Sequence, residues 1–142
     1  MPTWAVILLI VCIMVPVDLA IVYALLRGPV DEIFNALHKR HPPQEIGTGA
    51  MRHNFQSVKK DIVNMGWSVH FAVDDAFVHI MPAAVLRWCG AKASSVPVQL
   101  VREKRASARL PEIAVGEVTL RAPAWVLREA IARANLLNGS GA

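Results

Sequence analysis

The chain has 142 residues, 54% of them apolar, a formal net charge of +4 and two cysteines. Setting aside a long apolar opening leaves about 110 residues, enough for one small domain and too few for two. The mild basic balance excludes a nucleic-acid-binding tail. Two cysteines without a C-x-x-C pair or a Cys/His cluster exclude a disulfide framework and a structural zinc.

The opening runs from Trp4 to Leu26 and carries one charged side chain, Asp18. At about 1.5 Å rise per residue, a helix of this length crosses a hydrocarbon core of roughly 30 Å. Its many Leu, Ile and Val residues each favour insertion by about 0.3 to 0.6 kcal/mol, against roughly 3 kcal/mol for the lone acid. Insertion wins. The stretch lacks a basic leader and exceeds the apolar length of a signal peptide, so a retained anchor is expected. Cys12 lies inside it and Cys89 far beyond, so the two should not pair. Arg27, Lys39, Arg40, Arg52, Lys59 and Lys60 all follow the span, which predicts the N-terminus outside and the rest in the cytoplasm.

Pro16 and Asp18 are the unusual residues of the span. Pro16 removes one helix hydrogen bond and frees a carbonyl near residue 12. An intramembrane acid costs energy unless paired or neutralised. Asp18 therefore reads as a polar contact to a partner helix, with Pro16 beside it, or else as a protonated group or one reaching a water-filled defect.

Gly28-Pro29 is expected to end the span and start a new helix, with Asp31 and Glu32 favouring its first turn. Val30, Ile33, Phe34 and Leu37 then make one apolar face. His38, Lys39 and Arg40 suit the C-terminus, and Pro42-Pro43 stops the helix. So close to an anchor, that face is expected in the membrane interface, the alternative being packing on the soluble domain. Residues 41–54, with Pro42, Pro43, Gly47 and Gly49, read as a linker.

Short strands follow. Phe55–Met65 is expected as the first, broken by Gly66. Trp67–Val73 and Ala76–Met81 form a hairpin about Asp74-Asp75. A two-residue turn there pairs Val73 with Ala76, Phe71 with Val78 and Val69 with Ile80. Trp67, Val69, Phe71, Val73, Val78 and Ile80 then share a buried face, and Ser68, His70, Ala72, Phe77 and His79 the other. The same register sets His70 opposite His79, too few ligands for a firm metal site; a longer turn dissolves the pair.

Pro82–Cys89 is an apolar run containing Arg87. Ser94–Val98 reads as an edge strand, because Pro97 cannot donate to a central ladder. Gln99–Ala108 carries Arg102, Lys104 and Arg105, with Arg109 just beyond. This is the strongest basic patch, either a solvated edge or a contact for anionic lipid heads or a partner. Ile113–Arg121 makes a hairpin around Gly116. Pro123 opens a final helix with Leu127, Ile131 and Ala134 on its inner face and Trp125 near its start. Asn138-Gly139 closes it, and residues 138–142 form a loose tail.

The order is that of an α+β domain: anchor (1–28), amphipathic helix and linker (29–54), then strands with a capping helix (55–137). The run Trp67-Ser-Val-His-Phe-Ala-Val-Asp-Asp-Ala-Phe-Val-His-Ile, then Pro82, Leu86-Arg87, Gly90-Ala91 and Ser95-Val96-Pro97, resembles a group of small bacterial single-pass inner-membrane proteins. Those proteins carry a pleckstrin-homology-like domain behind one N-terminal helix. The resemblance covers roughly residues 29 to 128. It implies a PH-like bent sheet or open β-barrel with a C-terminal helix, and a binding or scaffolding role at the inner membrane. No cofactor, metal or nucleic acid is expected. A nucleophile–base–orienter set and a phosphate loop are not legible, so an enzyme is not expected. The expected function is an accessory protein docking on an integral-membrane protein or complex, the alternative being a module that binds lipid heads or a small ligand.

Overall fold

The structure is a computed structural model that describes residues 1–141. Its first element is a continuous helix from Thr3 to Arg40, 38 residues long. It begins as α1 (Thr3–Pro29), widens into a π-type turn over Val30–Asn35 and closes as α2 (Ala36–Arg40). The expected break at Gly28-Pro29 does not occur. Pro29 offers no N–H and its ring crowds the carbonyl four residues back. The chain answers with a wider turn immediately after it, and the helix continues.

Seven antiparallel strands follow, in the spatial order β4-β3-β2-β1-β7-β6-β5. They are β1 (Met51–Lys60), β2 (Val63–Val73), β3 (Phe77–Pro82), β4 (Ser94–Pro97), β5 (Val101–Arg105), β6 (Glu112–Val115) and β7 (Val118–Arg121). The short helix α3 (Ala84–Trp88) joins β3 to β4, and α4 (Ala124–Gly139) ends the chain. The sheet does not close: β4 and β5 are its two edges, and β1 and β7 meet only near Lys59 and Arg121. The class is α+β, an unclosed sheet between an N-terminal apolar helix and a C-terminal helix.

Strand boundaries differ from expectation in the first hairpin. Residues 55–65 are not one strand. Asp61 adopts a positive φ of 51° and, with Ile62, turns the chain between Lys60 and Val63. A short polar side chain tolerates that backbone. β1 starts at Met51, inside the stretch expected as linker. The register of β1 against β2 slips on either side of Gln56. Phe55 and Trp67 both take positive φ there, 52° and 56°. This irregularity turns Trp67 out to 77% exposure, against the expectation that it is buried.

One core unites all the elements. Val69, Phe71, Val73, Val78 and Ile80 supply the β2–β3 face, and Val126, Leu127 and Ala130 pack on it from α4. Ile131 of α4 is largely exposed rather than inward. Asn138 and Gly139 are the last residues of α4, not a tail beyond it, and Ala142 lies outside the described residues. Val30, Ile33, Phe34 and Leu37 are among the most deeply buried side chains of the molecule. Their face is not in a lipid interface: it fills the core, against β4 and β7. Four large apolar groups leave water there at about 1.5 to 3 kcal/mol each.

Candidate functional site

Three sets of residues are brought together by the fold. The first is the junction between helix and sheet. The helix runs past Trp88 at Tyr23 and ends beside the β6–β7 turn, where Leu37 and His41 approach Gly116. Gly116 has φ +61°, and a Cβ there would stand 3.1 Å from His41 Nε2. Arg40 donates to Glu117 at 2.9 Å, and His38 Nδ1 lies 2.7 Å from the Ala93 carbonyl. Upstream, α1 is largely bare: none of its residues is buried, and only Tyr23 and Leu26, near the end of the apolar stretch, pack against the domain. One helix is thus long and apolar enough to span a membrane. Pro16 and Asp18 lie within that bare part, both exposed, and among the described residues no side chain pairs with Asp18.

The second set is a buried polar strap. The turn between β2 and β3 is centred on Asp75-Ala76, one residue later than expected. Val73 pairs with Val78, Phe71 with Ile80 and His70 with Met81. His70 therefore does not face His79. The cause is the Asp74 side chain, whose Oδ1 accepts the N–H groups of Ala76 and Phe77 at 2.9 and 2.7 Å. Its Oδ2 accepts His79 Nε2 at 2.7 Å and the Gly47 N–H at 3.0 Å. On the other side, His79 Nδ1 is 2.8 Å from Ser95 Oγ, and that hydroxyl accepts the Gln44 N–H at 2.8 Å. Ser95 N–H in turn donates to the His41 carbonyl.

Burial alone would raise the Asp74 pKa. The bonds from His79 and from the backbone of Gly47, Phe77 and Ala76 outweigh it and hold the carboxyl well below the usual carboxylate range. Asp74, His79 and Ser95 form an acid–imidazole–hydroxyl line that the sequence reading missed. The signal existed only as residues 5 and then 16 positions apart, which no spacing rule connects. Its chemistry is structural. His79 is 1% and Ser95 3% exposed; His79 spends both nitrogens on Asp74 and Ser95, and the linker meets those two through Gly47, Gln44 and His41. Residues 41–47 pass directly over the line, bonding to it at His41, Gln44 and Gly47. The strap ties the linker to β3 and β4 and covers the outer edge of β4.

The third set is exposed. Phe55 and Trp67 flank an open groove of about 410 Å³, lined also by Gln56, Ser57, Asn64, Arg109, Leu110 and Pro123. Phe55 meets the His70 ring edge to face at 4.7 Å and donates its N–H to His70 Nδ1 at 3.1 Å. Gln56 Oε1 accepts Trp125 Nε1–H from α4 at 3.2 Å. A positive φ on a bulky residue costs about 1 kcal/mol or more. Two such residues, both aromatic and both exposed, border this one groove. The expected basic patch is found on the edge strand β5 and the loop after it: Arg102, Lys104, Arg105 and Arg109 are all exposed. Only Arg109 borders the groove. Cys89 is buried, and burial raises its thiol pKa, which makes it a poor nucleophile.

Compared with known proteins, the chain matches no family model and no curated protein.

Proposed function

We propose that this chain is a non-enzymatic, single-pass membrane protein that holds a recognition domain in a fixed pose against an integral-membrane partner. The observation that carries this reading is the unbroken helix Thr3–Arg40. The same rigid element is bare and lipid-length at one end and domain core at the other. A domain tethered by a flexible linker samples many poses; one whose core contains the end of its anchor keeps a single tilt. The exposed rim of Phe55 and Trp67 is the surface on which we place the protein contact. Asp18, unpaired on the bare helix, is the group we assign to a partner helix; the backbone carbonyl that Pro16 frees near residue 12 is a second polar group on the same helix.

The basic residues after the span support a bacterial inner-membrane location with the N-terminus outside and the domain in the cytoplasm. An unclosed sheet followed by a terminal helix fits the bent sheet or open β-barrel with a C-terminal helix that the pleckstrin-homology-like resemblance implies. Mild-detergent solubilisation of the tagged full chain is expected to recover an integral-membrane protein with it. That protein is expected to be lost from Asp18→Leu and from Trp67→Ala. Recovery of a lone monomer under conditions that keep other inner-membrane complexes intact overturns the reading.

A second reading, a lipid-head-binding module, is favoured by the four exposed basic side chains on and after β5. Near an anionic surface each contributes about 1 kcal/mol. Changing Arg102, Lys104 and Arg105 together to Ala should then weaken binding to anionic vesicles; unchanged binding removes this reading.

A further inference from the structure

Tyr23 sits in the last turn of the apolar stretch, three residues before Leu26. Its ring meets that of Trp88 edge to face, with centroids 5.6 Å apart. Arg27, one turn on, donates to the Tyr23 hydroxyl at 2.9 Å and places its guanidinium 5.8 Å from the ring centroid. Trp88 belongs to α3. That helix buries Leu86 in the core but leaves Val85 and Trp88 47% and 57% exposed, with Arg87 exposed between them. A short helix that offers an apolar pair and an arginine to the outside has one face still to be covered.

We propose that this face is covered by lipid: α3 is a second membrane contact, seated in the headgroup–acyl boundary of the bilayer that α1 crosses. The proposal rests on the anchor reading, and the geometry follows from it. The apolar stretch Trp4–Leu26 rises about 35 Å, against a hydrocarbon core of roughly 30 Å, so Tyr23 lies at the boundary. A ring whose centroid is 5.6 Å from that of Tyr23 lies within that distance of its depth. Trp88 therefore lies at the level where indoles are enriched, apolar body in the acyl region and N–H toward the headgroups. Val85 adds apolar area at the same level. Arg27 and Arg87 have the reach to place their guanidinium groups among lipid phosphates while their stems stay apolar. With two contacts, the domain is fixed in tilt and also in rotation about the anchor.

The test uses the full chain in vesicles of phosphatidylcholine and phosphatidylglycerol. Tryptophan emission is recorded with lipids brominated near the headgroup, with lipids brominated at the bilayer centre, and with aqueous iodide. The parent is compared with Trp88→Phe and Trp4→Phe, both substitutions of exposed rings, with circular dichroism confirming the fold. Trp88 is expected to supply a component quenched by headgroup-proximal bromine and protected from iodide, and Trp88→Phe should remove it. If the Trp88 component is quenched by iodide and not by lipid while the Trp4 component is quenched by lipid, the span is inserted and this proposal fails alone. If neither component responds to brominated lipid, the anchor reading fails and takes the proposal with it.

Discussion

Asp74 shows how one side chain sets the local fold. Its carboxylate accepts four hydrogen bonds, three from backbone and one from His79, and thereby fixes both the β2–β3 turn and the path of the linker. Leaving buried donors unpaired costs about 1 to 3 kcal/mol. Asp74→Asn is therefore expected to lower stability by about that amount at neutral pH, read from denaturant midpoints. The pH dependence follows from the direction of the shift. The folded carboxyl titrates below the unfolded value of about 3.9, so its contribution is fully present above that pH and is lost as pH falls below it. The parent should lose stability below about pH 4 more steeply than Asp74→Asn. Parallel acid unfolding curves for the two proteins would show that the carboxylate is not the group responsible. The sequence reading saw Asp74 only as half of a turn pair. A turn begun one residue early moves every cross-strand pair, which is why alternation alone sets His79 opposite His70 while the fold pairs it with Ala72. Alternation in the strands sorts side chains between faces but is blind to a register shift of two, which preserves the faces.

At the scale of elements, the long helix and the first hairpin carry the predictions. Phe34 is completely buried in the π-type turn. Phe34→Ala should cost about 3 to 5 kcal/mol, measured on the folded domain in detergent. A loss below about 1 kcal/mol, the range of surface changes, would place that ring outside the core. Trp67 should behave in the opposite way. Its backbone suits glycine, and its side chain is mostly in water. Trp67→Gly is expected to leave the melting temperature unchanged or raise it while abolishing partner recovery. A fall of several degrees would mean that the indole packs for stability rather than for contact.

The apolar spacing Val30, Ile33, Phe34, Leu37 was legible as a helix face, and Pro42-Pro43 as its stop. What that face meets was not. A stripe of this kind serves a lipid interface or a sheet equally well, and only the placement of β4 and β7 against it decides. The positive φ values of Phe55 and Trp67 had no sequence signal at all, since neither residue type favours that backbone. The edge positions of β4 and β5, by contrast, were readable from Pro97 and from the run of charges after Gln99.

For the whole molecule, anchor and domain are not separable at the boundary that composition suggests. A fragment beginning at Arg27 keeps Val30, Ile33, Phe34 and Leu37 and should fold in water, with cooperative unfolding and dispersed amide signals. A fragment beginning at His41 loses all four. At about 1.5 to 3 kcal/mol each, their burial amounts to a large share of the 5 to 15 kcal/mol that a domain has in total. It should not fold, and a cooperative, soluble fragment from His41 onward would overturn the view that the helix end is core.

By itself the sequence determined the composition class of each part. A hydrophobic run of 23 residues, alternating strands and a terminal amphipathic helix dictate an apolar helix of membrane-spanning length and one α+β domain, because burial and periodicity are local sums over side chains. The tertiary structure alone decided where anchor becomes core, which residue begins the β2–β3 turn, and that Asp74, His79 and Ser95 meet. Those outcomes depend on contacts between segments far apart in the chain, and no local pattern encodes the partner that a face or a carboxylate will find.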